Sequence, residues 1–251
     1  MSGPSSRWLD IAVPNLDAPR RLVCFPHAGG SAAFFRDWGR RLPECEVLAV
    51  RYPGRGERID EPEPTDMVSL AQDIAGALVL LADRPMVFFG HSMGAIVALE
   101  TARALQAAGV EPAHLVASGS RDVPAGETVS PDEDSEDEED DATVLARLVR
   151  LGGTDAELAE DPMFQELVLP YIRSDGRMFR AYRLQPTPRL GCPVTTVVGD
   201  TDTDADRRPW RALTTGAHRE VSVHGNHFYL VDKPPMDVVR RALETVPVAG
   251  G

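Results

Sequence analysis

A serine placed between two glycines is the residue of this sequence with the clearest chemical potential. Residues 90–94 read G-H-S-M-G, which fits the pattern G-x-S-x-G with Ser92 at its centre. An apolar run at residues 86–89 precedes the pattern, and a helical pattern continues from it to Ala108. A strand, turn and helix of this kind presents the serine on a sharp corner, where the flanking glycines let strand and helix pack closely. This context predicts that Ser92 is a nucleophile.

A serine hydroxyl is a weak nucleophile at neutral pH, so Ser92 requires a general base, and histidine is the usual one. His224 and His227 both follow the last predicted strand, where a loop can reach over the sheet toward Ser92. We prefer His227, because a glycine and an asparagine give it a flexible approach, whereas His224 is too near the strand. The other histidines adjoin the serine, lie in a glycine turn or precede strands: His91, His27, His114 and His218.

The histidine in turn needs a carboxylate that fixes its tautomer. Residues 194–198 predict a buried strand, and the sequence G-D-T-D follows it at residues 199–202. Asp202 is the preferred acid because Asp200 comes directly after the glycine and can serve the turn. Asp200 and Asp204 remain the alternates. The resulting order of Ser, Asp and His on successive strand ends is the chain order of α/β-hydrolases.

Short buried strands alternate with helical patterns between residues 20 and 120. The predicted strands are residues 21–25, 47–51, 86–89 and 115–118, and apolar residues between 65 and 81 recur with the helical period. Such alternation predicts an α/β fold with a mainly parallel sheet that is covered by helices on both faces. Residues 8–13 alternate weakly and are a candidate edge strand.

The pattern changes between residues 121 and 190. Two helices are predicted there, near residues 142–151 and 163–184, after a run at residues 132–141 that contains nine acids and no base. Because like charges repel and bury little surface, we expect this acidic loop, near residues 130–141, to be mobile. The expected organisation is a core of residues 1–120 and 191–251 with an inserted helical segment at residues 121–190.

Charge and composition exclude several classes of protein. The formal net charge is −13, and the acidic run supplies nine of these charges, so the other residues sum to only −4. This balance makes nucleic-acid binding a poor hypothesis. No apolar stretch is long enough to span a membrane, and we expect a cytoplasmic monomer. The three cysteines lack metal-ligand spacing, so buried free thiols are expected, without a metal or a cofactor.

Nearly the whole chain resembles the type II thioesterases that are associated with polyketide and non-ribosomal peptide synthases. By this resemblance Ser92, Asp202 and His227 form the catalytic triad, and the backbone N–H groups of Ala28 and Met93 form the oxyanion hole. The dense acidic run departs from the family pattern, as does an asparagine that stands where a second glycine is usual. The matching stretches are residues 25–31, 52–56, 90–94, 170–175, 199–202, 210, 214–216 and 225–228.

The resemblance also implies an α/β-hydrolase fold with a helical lid between the sixth and seventh strands, over a chamber for the acyl group. Side chains on the lid helices can line this chamber or simply hold the helices together. The candidate substrate contacts lie in the glycine turn and on the lid helices: His27, Gly29, Phe164, Met178 and Tyr182.

The implied activity is hydrolysis of acyl groups from the phosphopantetheine thiol of carrier proteins, which clears stalled or wrongly loaded chains from a synthase. Carrier proteins are usually acidic, so Arg55 and Arg58 are candidate docking contacts, although each can equally be an ordinary solvated arginine. A cyclising thioesterase or a carboxylesterase is the alternative with the same triad. A non-catalytic carrier-binding module is the alternative from another class, and the complete Ser, Asp and His set argues against it.

Overall fold

A seven-stranded sheet forms the centre of the computed structural model, which describes residues 7–124, 127 and 140–245. Its strands are Leu9–Asp10 (β1), Arg21–Phe25 (β2), Glu46–Val50 (β3), Met86–His91 (β4), His114–Ser118 (β5), Val194–Gly199 (β7) and His218–Val223 (β9). Ser120–Asp122 (β6) and Asp206–Arg208 (β8) form a separate two-stranded parallel sheet. The main sheet has the order β1-β3-β2-β4-β5-β7-β9. Only the edge pair β1 and β3 is antiparallel, among the described strands of that sheet.

Helices connect most of these strands. They are Trp38–Arg41 (α1), Met67–Val79 (α2), Met93–Ala107 (α3), Asp141–Leu151 (α4), Ala156–Glu160 (α5), Pro162–Ala181 (α6), Tyr229–Asp232 (α7) and Met236–Glu244 (α8). Short 3₁₀ helices cover Ala32–Phe35, Gly56–Arg58 and Trp210–Leu213. In the chain, α4, α5 and α6 follow β6 and precede β7.

The predicted alternation of strands and helices is confirmed, and the differences are local. The candidate edge strand shrinks to the two residues of β1, and His114 and His218 begin strands instead of preceding them. The sequence does not predict β6, β8 or α5. These elements are three to five residues long, and β8 reads D-R-R, so none of them carries an apolar run that would reveal it.

Side chains of the buried strands alternate between two core clusters, because successive residues of a strand point to opposite faces. On one face, Phe88 and Leu115 join a cluster with residues of α2 and α3. On the other face, Phe89 and Val116 join a cluster with residues of α1 and α8. The three cysteines are free and buried. The sheet is therefore the middle layer between two layers of helices.

Aspartates at helix starts determine where several helices begin. Asp66, Asp140 and Asp161 each accept a hydrogen bond from a backbone N–H in the first turn of α2, α4 and α6, respectively. Such caps satisfy N–H groups that have no partner inside the helix. Of the acidic run, residues 132–139 lie outside the described residues. Its last member, Asp141, pairs with Arg173 at 2.6 Å and so joins α4 to α6.

The carboxyl ends of the parallel strands place three loops at one edge of the sheet. Strands β4, β7 and β9 end at His91, Gly199 and Val223, immediately before the segments that contain the three predicted triad residues. In open parallel sheets, sites form at this edge. Over residues 7–124, 127 and 140–245, no helix is both long and apolar enough to cross a membrane.

Candidate active site

Ser92 lies on a strained turn between β4 and α3. Its φ of 54° and ψ of −123° make it the one non-glycine residue with a positive φ in the described chain. A side-chain carbon on Gly90 would overlap the carbonyl group of Gly94, and one on Gly94 would overlap the carbonyl oxygen of Phe25. The glycines of the motif are therefore required by close backbone approach. The turn presents the serine in the conformation that a nucleophile elbow needs.

His227 and Asp202 form a buried pair. The imidazole Nδ1 lies 2.9 Å from Asp202 Oδ2, and the two side chains are 6% and 0% exposed. The other carboxylate oxygen accepts the backbone N–H of Asp204 at 3.0 Å. Because an ionised carboxylate only accepts hydrogen bonds, Nδ1 carries the proton and Nε2 is left as the base. This is the pairing that the sequence favours.

The alternate acids and the alternate histidine lie elsewhere. Asp200 accepts from Gly225 N–H at 2.9 Å and pairs with His224 at 3.1 Å, where the histidine side chain is 91% exposed. These contacts lower the pKa of Asp200, first through the Gly225 hydrogen bond and then through His224. Asp204 forms a two-pronged ion pair with Arg150 at 2.8 and 2.9 Å. The structure therefore uses the alternates in surface pairs.

The asparagine that departs from the family pattern supports the loop before His227. Asn226 Oδ1 accepts the backbone N–H of Phe228 at 3.0 Å. A side-chain carbon on Gly152, the residue that ends α4, would lie 2.7 Å from the Asn226 amide nitrogen. Asn226 thus stabilises its own turn and contacts the end of α4.

Ser92 and His227 line the same cavity, which has a volume of about 960 Å³. The Ser92 hydroxyl and the imidazole do not form a hydrogen bond in this structure. Such bonds are often long without substrate and tighten when the substrate binds. The shared cavity brings the predicted nucleophile and the predicted base to one surface.

The two predicted oxyanion donors also line this cavity. Ala28 follows β2, and Met93 is the first residue of α3. Within the described ranges, neither backbone N–H has an acceptor in the chain. The first N–H groups of a helix lack partners inside it and carry partial positive charge, which favours an anion. Both N–H groups are therefore available to a developing oxyanion.

Three histidines pack together behind the serine. The rings of His91 and His227 have centroids 5.0 Å apart, and His91 Nδ1 lies 2.8 Å from Ser118 Oγ. Burial, reinforced by the neighbouring His227, lowers the pKa of His27 to about 3 and that of His91 well below its usual value. Both imidazoles are neutral at neutral pH. They add no positive charge beside His227, and His91 supports its ring.

The predicted substrate contacts divide into two groups. His27 and Tyr182 line the cavity. Met178 is buried in the main core, and the partly buried Phe164 lies outside the described lining of the cavity. Gly29 donates its N–H to Asp175 at 2.8 Å and packs on α6 instead of opening to the cavity. The helical period predicts which residues of α6 are apolar. It does not predict which of them point toward the cavity.

Arg55 and Arg58 do not form the exposed basic surface that the sequence suggests. Arg55 is buried in a two-pronged ion pair with Asp175, at 2.6 Å for each bond. Burial by itself lowers the pKa of Arg55, but the charge and hydrogen bonds of Asp175 outweigh it and raise the pKa. Arg58 is also buried, pairs with Glu61 at 2.6 Å and lies over the ring of Trp8. Their partners occupy both guanidinium groups, so the docking hypothesis fails at these positions.

A different set of arginines surrounds the cavity. They come from α4, from the end of α6 and the segment after it, and from β8, and the sequence analysis did not select them. Described carboxylates at the lining are fewer, namely Glu127, Asp204 and Asp206. The sequence does contain a signal for this set, because the arginines of α6 are spaced three and four residues apart and so lie on one side of the helix. The lining arginines are Arg147, Arg150, Arg180, Arg183, Arg207 and Arg208.

Comparison with known proteins identifies the family. The family model for the thioesterase domain matches residues 20–245. The chain is 40% identical over 230 residues to the probable cadicidin biosynthesis thioesterase of Streptomyces griseus, covering 90% of this chain and 62% of that protein's length. It is 39% identical over 235 residues to thioesterase PikA5 of Streptomyces venezuelae, covering 91% and 82%. The solved structure of the type II thioesterase BorB, from the borrelidin biosynthetic cluster, gives a TM-score of 0.78 at 32% identity, covering 95% and 98%. The chain belongs to the thioesterase family.

Proposed function

We propose that this chain is a monomeric cytoplasmic enzyme that hydrolyses acyl groups from the phosphopantetheine thiol of carrier proteins. Its role is to clear stalled or wrongly loaded chains from a polyketide or non-ribosomal peptide synthase. The observation that carries the proposal is that Ser92 and His227 line one cavity while His227 pairs with the buried Asp202. The similarity to a type II thioesterase of a biosynthetic cluster supports the substrate class.

The first half of the reaction forms an acyl-enzyme. His227 Nε2 takes the proton of the Ser92 hydroxyl while Oγ attacks the thioester carbonyl carbon. The N–H groups of Ala28 and Met93 bind the oxyanion, and loss of one such donor typically costs roughly 10²–10³ in rate. The carbon–sulfur bond then breaks. The thiol leaves with the proton from the imidazolium, helped by a thiol pKa near 8.5 that makes sulfur a good leaving group.

The second half regenerates the serine. His227 takes a proton from a water molecule, whose oxygen attacks the acyl carbon. The same two N–H groups bind the second oxyanion. The carbon–Oγ bond breaks, Ser92 recovers its proton from the imidazolium, and a free acid leaves. Asp202 holds the imidazole in one tautomer through both steps, since its carboxylate accepts from Nδ1.

We further propose that residues 121–190 act as a lid over the acyl chamber. Helices α4 and α6 contribute Leu148, Leu151, Ile172 and Phe179 to the lining of the cavity that contains Ser92. A lining that combines these apolar side chains with the catalytic groups suits an acyl chain attached to a polar thioester. This organisation supports the division of the chain into a core and an inserted helical segment.

Arginines at the cavity support contact with a carrier protein. Arg183 and Arg207 are exposed and line the cavity. Arg183 donates to the backbone carbonyls of Arg180 and Tyr182, so no described carboxylate neutralises it. Arg207 lies 3.7 Å from Glu127. The excess of arginines over acids in the described lining favours contact with an acidic carrier domain and with the phosphate of its prosthetic arm.

A serine-reactive fluorophosphonate tests the catalytic assignment. The proposal predicts covalent labelling at Ser92, which peptide mass spectrometry locates, and no labelling of the Ser92→Ala variant. In parallel, products from one acyl thioester and its oxygen-ester analogue are separated by chromatography. Release of linear acid mainly from the thioester supports the proposal. A ring product or preferred cleavage of the oxygen ester would contradict it in favour of a cyclising enzyme or an esterase.

A further inference from the structure

The turn that carries the Ala28 N–H is held by three side chains from two separate segments, the loop after β3 and helix α6. Tyr52 donates its hydroxyl to Pro26 O at 3.1 Å, and Arg55 donates to Gly30 O at 3.2 Å. Asp175, on α6, accepts the Gly29 N–H at 2.8 Å. Every one of these bonds ends on the backbone of residues 26–30, which form the oxyanion loop. The backbone of this loop is therefore fixed from outside it.

The geometry of the loop explains why the bond to Asp175 matters most. Gly30 N–H donates to His27 O at 2.8 Å, which closes a β-turn over residues 27–30, and Gly29 has φ of +75°. This φ at the third position is that of a type II turn. Types I and II differ by a flip of the central peptide, which here joins Ala28 to Gly29. Asp175 binds the N–H of that peptide and so selects its orientation.

The ion pair between Asp175 and Arg55 is almost completely buried. The two side chains are 0% and 2% exposed, and the guanidinium lies 4.8 Å from the ring centre of Tyr171 and 5.3 Å from that of Tyr52. Buried ion pairs contribute little net stability compared with apolar residues of similar size. Both members of this pair also bind the backbone of the oxyanion loop. We therefore expect the pair to act mainly on the conformation of that loop.

We propose that Asp175 is a positioning residue, which together with Arg55 fixes the type II turn of the oxyanion loop and thereby holds Ala28, the second residue of that turn, in place as an oxyanion donor. The inference rests on the proposed acyl transfer at Ser92. Ile172, one helical turn before Asp175, packs on Gly29 as well. Correct seating of α6 against the loop therefore completes the oxyanion hole.

A double variant separates positioning from folding. Removing only Asp175 would leave a buried, unpaired guanidinium and endanger the fold. Arg55→Met/Asp175→Leu leaves no buried charge unpaired, yet it removes the acceptor for Gly29 and the donor for Gly30. Arg55→Met/Asp175→Asn is the conservative variant, because it leaves no buried charge unpaired and its amide oxygen can still accept from Gly29. The matched control is Glu46→Gln, which weakens the other buried arginine pair, Arg21–Glu46, at the opposite ends of β2 and β3.

The measurements are kcat and KM with an acyl N-acetylcysteamine thioester, the affinity for an alkyl boronic acid, and Tm. The boronate forms a tetrahedral adduct at Ser92, so its affinity reports on the oxyanion hole. We expect the double variant to lose roughly 10- to 100-fold in kcat and in boronate affinity, with KM within about three-fold, because a misplaced donor costs less than a deleted one. Arg55→Met/Asp175→Asn should recover part of this loss, because it restores the acceptor for the Gly29 N–H. Glu46→Gln should lower Tm without changing kcat.

Two results would overturn the inference in distinguishable ways. If the wild type is active and the folded Arg55→Met/Asp175→Leu variant has the same kcat and boronate affinity, Asp175 does not position the loop. Absence of Ser92-dependent thioester hydrolysis in the wild type removes the proposed function, and this inference with it.

Discussion

At the scale of single residues, the carboxylates of one short loop have different tasks. Asp202 is buried against His227, whereas Asp200 and Asp204 form exposed or half-exposed pairs with His224 and Arg150. Of the three aspartates, only Asp202 pairs with the histidine that lines the cavity with Ser92. Its effect on the imidazole is strong because no water competes for the hydrogen bond.

Replacement of Asp202 by asparagine should therefore nearly abolish catalysis. An amide at this position can donate to Nδ1, which favours the wrong tautomer of His227, and we expect kcat to fall by about 10³–10⁴ with little change in KM. The measurement is steady-state hydrolysis of a small acyl thioester. Asp200→Asn serves as the control on the neighbouring carboxylate and should stay within about three-fold. Equal losses in the two variants would contradict the assigned triad.

The sequence predicts the triad but not the environment of the arginines. The motif around Ser92, the order of strand ends and the loop residues are all local patterns. Each of them points to the loops at the carboxyl ends of the strands. The partner of Arg55 is Asp175, which lies 120 residues away in the chain. No local pattern connects them, and an arginine in a polar loop is ordinarily solvated. Burial of Arg55 therefore becomes visible only when α6 is placed on the loop.

At the scale of elements, the contact of α3 with β2 and β4 depends on the glycines beside the serine. Gly94 touches the carbonyl oxygens of Phe25 and Pro26, which leaves no space for a side chain. This contact brings the start of α3 next to the oxyanion loop. In the proposed reaction, the helix start and the loop each supply one oxyanion donor.

Two glycine substitutions should have opposite effects on stability. Gly94→Ala forces a methyl group onto backbone oxygens, and we expect a loss of about 3 kcal/mol in the free energy of unfolding. Gly76→Ala adds a methyl group where nothing lies within 4 Å, on the exposed side of α2, and should add about 1 kcal/mol. Urea denaturation measures both. A Gly94→Ala variant as stable as the wild type would contradict the close packing of the elbow.

Prediction of the elements succeeded where apolar residues form a run or a helical period. Strands β2 to β5 are buried along their whole length, so their apolar runs reveal them. Strands β6 and β8 contain polar residues and depend on each other through pairing between Ser120 and Asp206 and their neighbours. Such tertiary pairing has no signal in the local sequence.

At the scale of the whole molecule, the net charge of −13 does not describe the charge around the cavity. Nine acidic residues, whose charge would repel an acidic partner, lie in one run at residues 132–141. Along the cavity, in contrast, arginines outnumber the described acids. Local charge, and not net charge, determines the attraction between two proteins at contact distance.

Charge reversal at the entrance should impair carrier-bound substrates selectively. For Arg183→Glu/Arg207→Glu we expect kcat/KM on an acyl carrier protein to fall about ten-fold more than kcat/KM on a small thioester, with the difference shrinking at high salt. Parallel assays with both substrates at two salt concentrations measure this effect. Arg241→Glu, at an exposed position on α8, is the control and should affect both substrates equally. Equal losses on the two substrates in the double variant would refute docking at this surface.

Buried histidines should make the fold sensitive to acid. Burial lowers the pKa of His114 to about 4 and that of His91 well below its usual value, whereas in the unfolded chain each titrates near 6.5. Between pH 6.5 and 4 the unfolded state binds more protons than the folded state, so stability falls as the pH falls. From pH 7 to pH 5 we expect His114 to remove about 2 kcal/mol.

Urea titrations at the two pH values test this expectation with His114→Gln. This histidine bonds Thr195 at 2.9 Å, away from the serine. The variant should lose about 2 kcal/mol less than the wild type between pH 7 and pH 5. Identical losses would show that His114 does not resist protonation in the folded protein.

The most direct test of the central claim follows an acyl group on a phosphopantetheinylated carrier protein by mass spectrometry. The account predicts that wild type converts the acyl carrier to the free-thiol carrier and a linear acid, and that Ser92→Ala is slower by at least about 10³. Release at the same rate by both proteins, or a wild type that binds the carrier without releasing acid, would contradict it.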